Sequence, residues 1–190
     1  MSHDRRQRAL VIGGGGMLSD CVEQLLAQGW HVVLPSKRYR PLGKCPKLDG
    51  SGGTARWVRA DWSAPAVLAR DVARELARPA DLLVAWLPEN HRVPVLRTVG
   101  GSLAEGARVV EVYSCTELPG GLPEPALPEH VTQRVALGYI PLRRGRRHAN
   151  HAEASAAITA AVTRALQDAP PEADQIGEPD IWPHLAQLRS

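Results

Sequence analysis

Phenylalanine is absent from this chain, and aromatic residues make up only 4% of it, five of them tryptophan. That absence carries no functional signal by itself. Cysteine is scarce. Cys21, Cys45 and Cys115 form an odd set without metal-ligand spacing, which argues against a disulfide framework and suits a reducing, cytoplasmic setting. No apolar run approaches the length needed to span a bilayer, and the stretch after the basic head, residues 1–8, is too short for a secretory signal. Neither sign of charge dominates: Lys and Arg number 23 against 20 Asp and Glu, a net charge of +3. So small an excess gives weak support for a nucleic-acid or membrane partner. No internal repeat is present. What remains is a 190-residue chain, 44% hydrophobic and 23% charged. It fits one soluble domain with a sizeable core, ending in a surface tail over residues 175–190.

The informative part is the start. An apolar strand, residues 9–12, runs into Gly13, Gly14, Gly15 and Gly16, followed by a helical stretch over 17–28 and a second strand over 31–34. Glycines permit a tight turn and let backbone N–H groups approach a pyrophosphate, with the positive end of the helix behind it. Gly13, Gly16 and Ser19 occupy the spaced positions of G-x-x-G-x-x-G, with serine in the third. A strand-to-helix turn without a ligand is the alternative. The helix carries Met17, Leu18, Cys21, Val22, Leu25 and Leu26 on one face, and Gly29 ends it.

Strands and helices go on alternating: a loop over 39–54, strand 56–60, helix 64–77, strand 81–87, helix 93–104 and strand 108–113. A Pro-rich irregular stretch spans 116–129, and a strand follows over 134–140. A helix is capped by Asn150 with Glu153 three residues on, and a short strand is expected near Ile176. This order predicts an α/β fold, a Rossmann-type doubly wound parallel sheet in a single compact domain.

Candidate ligand residues cluster at the carboxyl ends of these strands. Ser36, Lys37 and Arg38 end strand two, where an acid would accept from a free ribose 2′-hydroxyl. Cations there favour a 2′-phosphate, so NADP is expected, with NAD as the alternative. Asp61 is placed either to accept from an adenine amino group or to serve as a turn residue before the next helix. Trp86, Leu87 and Pro88 line the cofactor or belong to the core. Tyr113 and Ser114 end strand five as candidates for a substrate carbonyl or imine, with packing the rival role for Tyr113. His91 is a candidate proton donor or a solvated loop residue. The basic run from Arg143 to Arg147 is a clamp for an anionic substrate or a solvated loop. Without a wider basic face and interleaved aromatics it does not favour nucleic acid. His148, His151 and Glu153 lack further ligands for a metal, so none is expected.

The segment Val11-Ile12-Gly13-Gly14-Gly15-Gly16-Met17-Leu18 resembles the short-chain dehydrogenase/reductase family, and within it the Gly-Gly-x-Gly-Met-Leu start of a small bacterial branch. Residues 81–86, 135–139 and 150–153 resemble that branch's fourth strand, late strand and capped helix. The resemblance implies NAD(P) binding and a homo-oligomer, and it places Ser114 at the family's serine position. The family's Tyr-x-x-x-Lys is absent: residues 117 and 143, four beyond Tyr113 and Tyr139, are Glu and Arg. In that pattern Tyr protonates the substrate oxygen as hydride arrives and Lys lowers its pKa. Three functions follow as expectations. The first is an atypical NADP(H)-dependent oxidoreductase acting on a small carbonyl, alcohol or imine. The second is a non-catalytic NADP(H)-binding module or redox sensor. The third is a non-redox enzyme reusing the cleft.

Overall fold

The computed structural model describes residues 6–13, 16–38, 52–114 and 122–177. Gly14, Gly15, Cys45, Cys115, most of the 39–54 loop, residues 116–121 and the tail from 178 lie outside the described residues.

Four apolar strands build the centre because their residues alternate between two covered faces. In β1 (Arg8–Gly13), Leu10 and Ile12 pack toward α2 (Pro65–Leu76) and α3 (Glu89–Gly100). Ala9 and Val11 pack toward α1 (Ser19–Ala27) and α4 (His151–Leu166). The remaining strands of the main sheet are β2 (His31–Ser36), β3 (Thr54–Arg59), β4 (Ala80–Trp86), β5 (Leu103–Ser114), β6 (Thr132–Leu137) and β9 (Ala173–Ile176). Their order is β3-β2-β1-β4-β5-β6-β9, with every neighbour parallel. This is the doubly wound Rossmann arrangement expected from the alternation, with the chain reversing its direction of travel across the sheet between β1 and β4. Each buried Leu, Ile or Val in the two cores contributes roughly 1.5–3 kcal/mol.

Three elements depart from the sequence reading. α3 begins at Glu89, four residues before the expected start, because Pro88 is the N-cap and Pro94 is carried inside the helix. A proline is best tolerated in the first turn of a helix, and Pro94 lies just beyond it. The expected strand over 134–140 breaks at Gly138. There an added Cβ would lie 2.7 Å from the Ile176 carbonyl oxygen, so β6 stops and a hairpin of β7 (Tyr139–Pro141) and β8 (Arg146–His148) follows. β5 starts five residues early, with an irregularity in its pairing to β4 between Ala80 and Leu82. The capping box at α4 is as expected: Asn150 accepts from the Glu153 amide at 2.9 Å, and Glu153 accepts from the Asn150 amide at 2.8 Å.

Candidate functional site

Where β1 ends, Gly13 has φ +79° and pairs with Trp86 of β4. A Cβ there would stand 2.1 Å from the Trp86 carbonyl oxygen, so only glycine fits. Gly16, at φ +101°, is the second left-handed position. α1 starts after Leu18, which supplies no side-chain cap, and the Ser19 amide turns back to the Gly16 carbonyl oxygen at 3.1 Å, so the helix presents its positive end at the carboxyl rim of the sheet. Met17 is half-buried, and Leu18 is buried beneath the turn.

A feature the sequence did not suggest braces this turn from α4. His151 Nε2 lies 3.2 Å from the Gly16 carbonyl oxygen and 3.4 Å from Ser19 Oγ. Ser155 Oγ donates to Asp20 at 2.6 Å. Two helix N-termini therefore converge on the turn.

At the end of β2, Ser36 Oγ accepts from Trp57 Nε1 and donates to the Arg38 carbonyl, both at 2.8 Å. Lys37 and Arg38 are exposed. Asp61 accepts from the Ser63 amide at 3.0 Å and the Ser63 hydroxyl at 2.6 Å, which is the turn role weighed for it. Those bonds hold its carboxyl below the usual range, aided by Lys37 and His91. Lys37 and His91 thus each come within electrostatic reach of Asp61. His91 lies in the first turn of α3 and not on a loop. Trp86 is partly buried against the α1/α4 core, Leu87 is buried in the opposite core, and Pro88 is exposed.

The structure does not bring Tyr113 and Ser114 together. Neighbours on a strand point to opposite faces. Val110 and Val112 face α1 and α4, so Ser114 shares their side, while Glu111 and Tyr113 point the other way. Tyr113 is fully buried. Its hydroxyl donates to Glu111 Oε2 at 2.5 Å, and the Arg92 guanidinium lies 3.8 Å from its ring centroid. Burial first, then the Glu111 charge, pushes the phenol well above its ordinary pKa, against the opposing pull of Arg92. Glu111 Oε1 accepts from the Ala126 amide at 2.9 Å. The carboxylate therefore fastens the β5–β6 connection to the sheet, and Ala126 and Leu127 close the core there. A charge inside the run Val109-Val110-Glu111-Val112 was the available signal. Arg92, three residues after Glu89 on a helix, gave none.

The basic run divides by role. Arg147 makes a two-pronged pair with Glu153 at 2.7 and 2.8 Å. Together with the Asn150 amide, that pair lowers the Glu153 carboxyl to about 2. Arg146 stacks over Tyr139 at 4.3 Å, and Tyr139 lies 4.6 Å from the His148 ring. Arg143 and Arg144 are exposed at the hairpin tip. Among the described residues no His, Cys, Asp and Glu group has the geometry of a metal site, and no helix is long and apolar enough to cross a membrane.

No protein-family model and no curated protein matches the chain. Solved structures do. A short-chain dehydrogenase from Oenococcus oeni is 10% identical, with TM-score 0.62 over 93% of this chain and 99% of that one. A short-chain dehydrogenase/reductase from Brucella melitensis, described as glucose/ribitol dehydrogenase, is 14% identical, with TM-score 0.59 over 93% and 98%. An NADH-dependent reductase complexed with NAD is 16% identical, with TM-score 0.54 over 90% and 95%. The chain has the fold of the short-chain dehydrogenases/reductases. At these identities the likeness concerns the fold.

Proposed function

We propose that this protein is an atypical NADP(H)-dependent oxidoreductase acting on a small carbonyl, alcohol or imine. The observation that carries the reading is the Gly13 turn, a backbone cradle closed against Trp86 that no side chain can enter. It lies at the rim of a sheet whose order matches known dinucleotide-binding enzymes. The residues fit the cofactor. Gly13–Gly16 and the N-terminus of α1 would hold the pyrophosphate, and Lys37 and Arg38 would hold the 2′-phosphate. Asp61, Trp86 and Pro88 would flank the adenosine and nicotinamide ends. When bound, the nicotinamide supplies or accepts hydride. Ser114, on the α1/α4 face of the β5 end, would hydrogen-bond the substrate, with His91 the candidate proton donor. Tyr113 keeps its proton against Glu111, and the protein lacks Tyr-x-x-x-Lys. An imine suits such a site, since a protonated imine accepts hydride without a tyrosine acid. The same two facts favour, as a second reading, a module that binds NADP(H) without turnover. A homo-oligomer is part of the proposal.

The test is fluorescence titration of the protein with NADPH and NADH, following tryptophan quenching. NADPH binding tighter than NADH, weakened in Lys37→Ala and Arg38→Ala, supports the reading. No binding of either at millimolar concentration overturns both versions. Binding without turnover across carbonyl and imine substrates selects the second.

A further inference from the structure

Arg92 lies over the Tyr113 ring, yet two of its nitrogens have no hydrogen-bond partner among the described residues. Its side chain is 3% exposed. Nη2 donates to the Leu87 carbonyl oxygen at 2.7 Å, while Nε and Nη1 are buried without a hydrogen-bond partner. Glu111 is engaged by the Tyr113 hydroxyl and the Ala126 amide. Glu89 Oε2 stands 3.6 Å from Nε, too far for a hydrogen bond. A guanidinium has two edges able to grip an oxyanion: Nε–H with one Nη2 hydrogen, and Nη1–H with the other. Leu87 takes a single Nη2 hydrogen, so one edge stays whole. Such an edge matches a planar carboxylate. Buried donors left unpaired destabilise a fold, and a bound anion is one of the acceptors that can satisfy them in a native protein.

The position supplies an independent reason. Arg92 lies in the first turn of α3, a twelve-residue helix whose N-cap, Pro88, offers no side-chain acceptor. The helix opens directly after β4, at the carboxyl rim where ligands of such sheets bind. The His91 amide already donates to the Pro88 carbonyl oxygen at 3.0 Å, so the Glu89 and Asn90 amides and the positive end of the helix are what favour an anion there. Glu89, partly exposed, already hovers over the same guanidinium and shows which chemistry that approach accepts.

We propose that Arg92 and the uncapped N-terminus of α3 form a carboxylate-binding site from which a ligand displaces the Glu89 side chain, and that this site anchors a carboxylate-bearing substrate. The anchoring role rests on the oxidoreductase reading; the site itself does not need the nucleotide.

The experiment follows the Arg92 Nε–H resonance of the ¹⁵N-labelled full-length protein, assigned by its loss in Arg92→Lys. Sodium pyruvate is titrated against sodium chloride and inorganic phosphate at matched ionic strength. The expected result is a saturable shift with pyruvate that chloride does not reproduce. Glu89→Ala removes the competing carboxylate and should tighten pyruvate binding by up to about fivefold. That variant keeps the test available if Arg92→Lys does not fold. A pyruvate response no larger than chloride in both wild type and Glu89→Ala overturns the site, and a tighter response to phosphate overturns the carboxylate assignment. NADPH is titrated in parallel. Pyruvate binding without NADPH binding keeps the site and overturns its role as substrate anchor. NADPH binding without a pyruvate response overturns this inference alone.

Discussion

Replacing Gly13 with alanine tests the turn more sharply than any other single change. Two costs add at that residue. The backbone is at φ +79°, where an L side chain costs about 1–2 kcal/mol. The new Cβ would also meet the Trp86 carbonyl oxygen at 2.1 Å, against an ordinary contact of at least 3.4 Å. Relief needs the oxygen to retreat by the difference, 3.4 − 2.1 = 1.3 Å. That oxygen belongs to β4, which is paired to both β1 and β5. Overpacking of this kind costs about 1–3 kcal/mol, so the total loss is about 2–5 kcal/mol. For a chain this size that is a fall in Tm on the order of 10 °C. Two other glycines separate the terms. Gly106 has φ +73° but open space around it, so Gly106→Ala should cost the strain alone, about 1–2 kcal/mol. Gly101 has φ −62° and nothing within 4 Å, so Gly101→Ala should be neutral or slightly stabilising. Urea denaturation of the three variants, followed by circular dichroism, gives the order directly. Gly13→Ala no less stable than Gly106→Ala would refute the steric argument and with it the cradle.

Three further outcomes follow from the same geometry. The folded-state carboxyl of Glu153 lies below its ordinary value of 4.5, at about 2. Its stabilising effect is therefore present above pH 4.5 and lost as pH falls toward 2. The melting-temperature gap between wild type and Glu153→Gln should close over that window, and a gap that persists at the acid end counts against it. Glu111→Leu leaves the Tyr113 hydroxyl and the Ala126 amide without their acceptor, at about 1–3 kcal/mol for each orphaned group; an unchanged urea midpoint would contradict this. Burial, then Asp20, pushes the Cys21 thiol up to about 12. In a variant with Cys45 and Cys115 changed to serine, iodoacetamide should label Cys21 only as fast as the protein opens. Labelling at the rate of a free thiol in native buffer is the contrary result.

The architecture was legible because its signals are local. The glycine turn, the apolar run of β4 and the capping box at α4 each need only a few adjacent residues. Errors arose where tertiary contacts decided. α3 starts at Glu89, four residues before the expected start, with Pro88 as its N-cap and Pro94 inside it. Gly138 looks like any strand glycine until Ile176 approaches it. Tyr113 takes the packing role weighed for it, and the period-two alternation of a strand already separates its face from that of Ser114. Arg92 had no sequence signal at all: it is buried against the Tyr113 ring and the Leu87 carbonyl, brought together only by the fold.

The meeting of Gly138 with the end of β9 has a practical consequence. Gly177, at φ +84°, has no room for a Cβ, which would lie 2.4 Å from the Tyr139 carbonyl oxygen, so the two backbones meet in direct contact. All strands of the main sheet are parallel, so β9 ends at the rim that carries the glycine turn, whereas β1 begins at the opposite edge. Anything attached after residue 177 is therefore rooted at the same rim as the glycine turn, next to the start of the basic hairpin. Purification tags and fluorophores for binding work belong at the amino end, where they start a full strand length away from that rim.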